Sequence, residues 1–276
     1  MNLYAFADEA SPRLKNQIAA MQRNHLSGLE IRNTDYGNVS GLSLAQAREI
    51  KGMMDDAGLV IWSCGSPMGK IPITGDFSAH LDAFRRTLDI AHALDAENIR
   101  MFSFYVPEGQ DPIPFKNQVM DYLGAFVQAA EGSGIDLCHE NEKGIYGDIA
   151  PRCKEIFDTH PTLKCVFDPA NFIQSGQETL SAWAMLKGHV KYMHIKDALP
   201  SGQVVPAGKG AGRLPEILAD YRAMGGRHLS IEPHLKIFEG LSQLEGGKRP
   251  AIDDFAYPTA DAAFDAACSA LKFLLG

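Results

Sequence analysis

Four apolar runs in this chain each end on a residue able to bind a metal ion: Leu137-Cys138-His139-Glu140, Cys165-Val166-Phe167-Asp168, Val190-Lys191-Tyr192-Met193-His194 and Leu229-Ser230-Ile231-Glu232. Successive ends lie roughly 30 residues apart, the length of a β-strand, its crossover helix and two loops. Glu140, Asp168, His194 and Glu232 would therefore fall at one level of a parallel sheet. Three carboxylates and one imidazole suit a single divalent ion, Mn²⁺, Mg²⁺, Co²⁺ or Zn²⁺, and leave positions open for substrate oxygens. Such an ion, bridging a carbonyl and the neighbouring hydroxyl, acidifies the carbon-bound proton between them and stabilises an enediolate. Glu140 and Glu232 would flank that substrate and could exchange protons with adjacent carbons.

The elements that must position these residues alternate along the whole chain. Eight strand candidates, Leu3–Ala7, Gly28–Ile31, Val60–Cys64, Ile99–Ser103, Ile135–Glu140, Cys165–Asp168, Val190–His194 and Leu229–Glu232, are separated by amphipathic stretches. In Leu81–Leu94 the apolar residues Leu81, Phe84, Leu88 and Ala91 recur at helical spacing. Further helices are expected over Arg13–Asn24, Leu44–Ala57, Phe115–Glu131, Pro151–Thr159, Glu178–Leu186, Leu214–Met224 and Thr259–Phe273. Ser11, Ser43 and Thr259 are placed to start helices, and Gly58, Gly134 and Gly226 to end them with a positive φ. Repeated βα units of this kind predict an α/β fold, a (β/α)8 TIM barrel forming one domain over residues 1–276. The polar, Gly-rich segment Leu235–Pro258 should be a long loop over the rim that carries the ligands.

Bulk properties narrow the function. The 276 residues are 45% hydrophobic, enough for one large core, and the formal net charge is −8. An acidic balance disfavours nucleic acid or an anionic membrane as partner, since phosphate binding needs clustered Lys and Arg. The five cysteines are scattered, with no CxxC spacing, and read as reduced core residues of a cytoplasmic protein. The N-terminal residues lack a basic region and carry Asp8 and Glu9 where a signal peptide would be apolar. No apolar run reaches the length of a membrane span. A small-molecule substrate is expected, and a homo-oligomer is compatible with the composition.

The runs His139-Glu140-Asn141-Glu142, Phe167-Asp168-Pro169-Ala170-Asn171, His194-Ile195-Lys196-Asp197 and Ile231-Glu232-Pro233-His234 resemble those of the sugar isomerase and epimerase group of xylose isomerase-like TIM barrels. The resemblance spans nearly the whole chain, including Phe6-Ala7-Asp8-Glu9, Glu30-Ile31-Arg32, Ser66-Pro67-Met68-Gly69-Lys70 and Pro206-Ala207-Gly208-Lys209-Gly210. It implies that Glu140, Asp168, His194 and Glu232 bind one divalent metal and that Glu140 and Glu232 form the acid/base pair of a sugar or sugar phosphate isomerase or epimerase. The ketose epimerase branch usually carries a His three residues after the strand-six Asp. This chain has Asn171 there, as sugar-phosphate and related members often do. An inosose-type dehydratase on a cyclic polyol would use the same residues, and a non-catalytic sugar-binding barrel is the third reading. Endonuclease IV-like proteins share the fold but need a multi-metal His cluster and a basic groove, which this composition does not offer.

Around the four ligands, Asn171, Asn141, Lys196, His234, Arg32 and Lys70 are substrate-binding candidates. Lys196 shares a face with His194, and His234 with Glu232, under strand alternation. Arg32 and Lys70 could neutralise an anionic substrate, and the two Asn could donate to sugar hydroxyls. Asp197 is expected to orient a neighbouring ligand, because metal-bound imidazoles usually donate their second N–H. His139 should face the helix layer. Gly208-Lys209-Gly210 has the look of an anion-cradling loop but lacks a following Walker Ser or Thr.

Overall fold

The computed structural model describes residues 1–238, 241, 252 and 256–276. Eight parallel strands close into a barrel: β1 Asn2–Ala5, β2 Gly28–Ile31, β3 Val60–Gly65, β4 Asn98–Met101, β5 Asp136–Glu140, β6 Lys164–Phe167, β7 Val190–Ile195 and β8 His228–Ile231. Each strand pairs with its sequence neighbours, and β8 closes on β1. Helices α1 Leu14–Arg23, α2 Leu44–Asp56, α3 Phe77–Ala93, α4 Lys116–Ala130, α5 Ala150–Thr159, α6 Pro169–Gln174, α7 Thr179–Leu186, α8 Leu214–Ala223 and α9 Ala260–Leu275 surround it. This is the expected (β/α)8 barrel. Among the described residues, no helix is long and apolar enough to cross a membrane. The expected rim loop Leu235–Pro258 falls largely outside the described residues.

Strand alternation sorts the side chains. On β7, Met193 and Ile195 join the apolar layer under the helices, while Tyr192 and His194 point into the barrel. Tyr4, Trp62, Cys138, Val166 and Tyr192 fill the barrel's interior, with Trp62 stacked on Tyr4 at 4.5 Å and on His228 at 4.6 Å. That plug is the floor on which the polar upper layer stands. Between β2 and β3 the register slips by one residue after Leu29, so Ser63 rather than Trp62 lies opposite Glu30.

Several local expectations need correction. Ser43 caps α2 through a capping box with Gln46, and Thr259 caps α9, as expected. Ser11 does not cap α1. That helix starts at Leu14, whose N–H donates to Asp35, while the Ser11 hydroxyl accepts from the Arg13 N–H. Helix α3 begins four residues before Leu81, because Asp76 caps a first turn that lacks the apolar period. The positive φ before β8 belongs to Gly225 (86°) and not Gly226, where a Cβ would strike the Tyr221 ring.

Candidate metal and substrate site

The polar layer at the C-terminal ends of the strands is closely packed. Glu140 ends β5, and Asp168 and Glu232 are the first residues beyond β6 and β8. His194 lies on β7, one residue before its end. Each offers a ligand atom, and these atoms all lie within 4.8 Å of one another. The four residues are 1, 0, 3 and 0% exposed in that order. Three carboxylates and an imidazole gathered this closely fit a divalent metal.

The sequence dictates how Asp168 is used. Asp-Pro at a strand end is a helix start: Asp168 Oδ1 accepts the Asn171 N–H at 2.9 Å and caps α6, with Pro169 in the first turn. Its other oxygen, Oδ2, is buried, has no aligned hydrogen-bond donor and faces the centre of the quartet. A buried carboxylate oxygen that lies among three other ligands and is met only by the Lys196 ammonium, at 2.9 Å and without hydrogen-bond alignment, suits a metal site.

His194 sits between carboxylates. Nδ1 lies 2.9 Å from Glu140 Oε1, 3.7 Å from Glu232 Oε2 and 4.0 Å from Asp168 Oδ2. Nε2 on the far edge lies 3.0 Å from Glu30 Oε2. Glu30 is fixed in turn by the Tyr192 hydroxyl, which donates to Oε1 at 2.7 Å, and by Ser63. The acceptor that orients the imidazole is therefore Glu30 and not the expected Asp197. Asp197 instead accepts the backbone N–H groups of Gly208, Gly210 and Gly212 at 2.9–3.0 Å. A Cβ on Gly210 or Gly212 would come within 2.3 or 2.6 Å of its Oδ1. The glycine-rich loop thus does cradle an anion, but the anion is a side chain of the protein itself.

Three buried cations neutralise the acids. Arg100 donates to Glu140 Oε2 at 3.1 Å and to the carbonyls of Gly65 and Ser66. Arg32 holds Asp8 with two N–H groups and also reaches Glu9 and Glu232 at 3.1 Å, packed between the rings of Phe6 and Phe238. Lys196 Nζ lies 2.6 Å from Glu232 Oε2 and 2.9 Å from Asp168 Oδ2. Further out, Lys70 Nζ pairs with Glu142 at 2.9 Å over the Phe102 ring. Glu142 also lines a cavity of about 580 Å³ with Tyr105, Pro107, Pro112 and Ile145, and the four ligand candidates lie outside that lining.

These charges set the protonation states. Burial pushes the Glu140 carboxyl up, but His194 and Arg100 outweigh it and hold the group at about 2. Burial of Glu232 is likewise overcome, chiefly by Lys196, and its carboxyl falls well below the usual range. At Asp168 burial wins over Lys196 and raises the carboxyl to about 7. His194 is lifted to about 10 because Glu140 and Glu30 more than offset its burial. Burial, opposed by Arg32, takes Glu9 to about 8.

Of the other candidates, Asn141 and Asn171 face protein and not an open space. Asn141 exchanges two hydrogen bonds with the backbone of Asp168, at 2.9 and 3.0 Å, and ties the ends of β5 and β6 together. Asn171 Nδ2 donates to Glu140 Oε1 and to the Asn141 carbonyl. His234 has φ 44° and places Nδ1 3.3 Å from Glu9 and 3.8 Å from Glu232. His139 meets Ser103 and Phe157 on the helix side, as alternation predicts. Glu30 and Arg100 escaped selection as site residues, yet each is a charge inside an otherwise apolar strand run, and burying one demands a partner.

A family model described as xylose isomerase-like TIM barrel matches residues 19–245. The chain belongs to the xylose isomerase-like TIM barrel family. Solved structures with this fold include a D-psicose 3-epimerase with D-tagatose from Clostridium cellulolyticum H10, with TM-score 0.75, 16% identity and coverage of 100% of this chain and 98% of that one. The IOLI protein with a binding zinc atom superposes with TM-score 0.76 at 16% identity, covering 100% and 98%. The probable 3-DHS dehydratase AsbF from Bacillus anthracis gives 0.70 at 16%, covering 99% of each chain. At such identities the likeness extends to the shared family barrel.

Proposed function

We propose that this chain is a divalent-metal-dependent sugar isomerase or epimerase in which Glu140 and Glu232 transfer protons, between adjacent carbons for isomerisation or at the two faces of one carbon for epimerisation. The observation that carries this reading is the convergence of Glu140, Asp168, His194 and Glu232, with ligand atoms within 4.8 Å, at the barrel end where the family fold places its chemistry. The metal would be held by these four residues, through Nδ1 of His194, and would polarise a carbonyl and its neighbouring hydroxyl. Glu140 and Glu232 are both held ionised, so either can take the proton next to that carbonyl. Two carboxylates from different strands would reach a substrate from two sides, as inversion at a carbon requires. Asn171 and Arg100 would keep Glu140 aimed, and Arg32 would do the same for Glu232. The neighbours named as a D-psicose 3-epimerase and as a zinc-binding protein support the substrate class and the metal.

The substrate we infer is an uncharged sugar. Arg32, Arg100 and Lys70 are each already paired with a carboxylate. The N–H groups of the glycine-rich loop are committed to Asp197. Among the described residues, these three cations and the loop N–H groups are therefore committed before a phosphate arrives. Solvent deuterium exchange into ketoses, ketose phosphates and inososes with Mn²⁺ added tests the reading. Exchange into an unphosphorylated ketose, lost in Glu232→Gln, is the expected result. Loss of water from an inosose would replace isomerisation by dehydration, the activity named for the AsbF neighbour. Tight binding without exchange would leave a sugar-binding barrel.

A further inference from the structure

Among the three buried cations of the site, Lys196 is the one without a fixed framework. Arg32 is held by four N–H contacts to three carboxylates and sandwiched by two rings, and Arg100 by three contacts, two of them to backbone carbonyls. Lys196 reaches its place on a flexible four-carbon stem, as a point charge. Its ammonium meets Glu232 Oε2 at 2.6 Å and Asp168 Oδ2 at 2.9 Å. The Asp168 contact is ionic without hydrogen-bond alignment, since that oxygen has no aligned donor. These two oxygens are also the ones turned toward His194 Nδ1, at 3.7 and 4.0 Å. The ammonium and a metal on His194 therefore claim the same pair of oxygens.

Two cations cannot share those oxygens cheaply. An ammonium and a divalent ion bound to the same carboxylate oxygens would sit a few ångströms apart in a buried site, where repulsion is weakly screened. Without any cation, however, Asp168 and Glu232 would be two adjoining buried carboxyls that cannot both stay ionised. A mobile cation that leaves when the metal arrives meets both requirements. A further acid whose charge reaches Lys196 is Glu142, which pairs with Lys70 at 2.9 Å.

We propose that Lys196 is an exchangeable counter-ion of the metal site: it holds Asp168 and Glu232 together in the metal-free protein, yields their oxygens to the metal, and is turned toward a substrate oxygen. Metal loading and the delivery of a substrate-binding cation are then one event. The inference rests on the metal site proposed above, and the test separates the two.

Calorimetric Mn²⁺ titration of the metal-free protein is compared for the natural chain, Lys196→Met and Lys196→Gln, together with melting temperatures with and without Mn²⁺. The expected result is Mn²⁺ binding tighter by about tenfold or more in both variants, because a competing charge is gone. The metal-free variants should melt below the natural chain, and added Mn²⁺ should close most of that gap. Equal or weaker Mn²⁺ binding in a folded variant overturns the counter-ion role while leaving the metal site standing. Absence of Mn²⁺ binding by the natural chain overturns the metal site itself, and the inference with it. If Lys196→Met folds only with Mn²⁺, that rescue is the predicted effect. If it folds under neither condition, Lys196→Gln decides.

Discussion

Glu30 Oε2 lies 3.0 Å from His194 Nε2, on the edge of the ring opposite the nitrogen that faces Glu140, Asp168 and Glu232. One imidazole thus joins the proposed metal to a carboxylate on β2, and the Tyr192 hydroxyl ties that carboxylate to the barrel floor. Fixing the ring's orientation and its free nitrogen is how an outer carboxylate strengthens a metal-bound histidine.

Removing this support should show in metal affinity. Glu30→Gln is expected to weaken Mn²⁺ binding by about 10- to 100-fold. Equilibrium titration checks it, with circular dichroism as control for folding. A lower melting temperature with unchanged Mn²⁺ affinity would reduce Glu30 to a packing role.

Arg100 supports Glu140 in a different way. The pair is 2% and 1% exposed, so Arg100→Met leaves a buried carboxylate with His194 alone as counter-charge. A loss of about 3–5 kcal/mol in unfolding free energy is expected in urea titrations. Combining it with Glu140→Gln should cost much less than the sum of the two single changes, because the under-compensated charge has gone. Additive losses would mean that the ion pair contributes nothing particular.

The loop that carries Lys70 should be sensitive to acid. The Gly69 N–H donates to His80 Nε2 at 2.8 Å, so this nitrogen must be unprotonated, and burial lowers the His80 pKa below its usual value. A histidine with a depressed folded pKa contributes stability that is present above the unfolded value of about 6.5 and lost as the pH falls through the folded value. Melting temperatures measured downward from about pH 7 should therefore fall less steeply for His80→Gln than for the natural chain. Equal slopes would remove His80 from the acid response.

Much of this architecture was readable from period and punctuation. Seven amphipathic stretches ended within about two residues of their helices, while α3 ran further because the Asp76 cap outweighed an unfavourable first turn. The strand ends located Glu140, Asp168, His194 and Glu232 because an apolar run closing on a polar residue marks where a buried strand reaches the rim. What the sequence could not show was direction. Asn141 and Asn171 have the right chemistry for sugar hydroxyls, but their donors are taken by the Asp168 and Asn141 backbones and by Glu140. Asp197 follows His194 closely in sequence yet serves a loop that returns more than ten residues later. Glu30, from a strand more than 160 residues away, takes the role expected of it. Such pairings depend on barrel closure, a non-local event with no signature in any single segment. Glu30 and Arg100 could still have been suspected, since a lone charge inside an apolar strand must find an opposite charge across the barrel.

Crystals of the protein soaked with Mn²⁺ and measured at a wavelength with manganese anomalous signal test the metal centre most directly. The expected result is one strong anomalous peak ligated by Glu140, Asp168 Oδ2, His194 Nδ1 and Glu232, and absent in Asp168→Asn. A map with no peak among these four residues, or a peak unchanged by Asp168→Asn, would contradict the account.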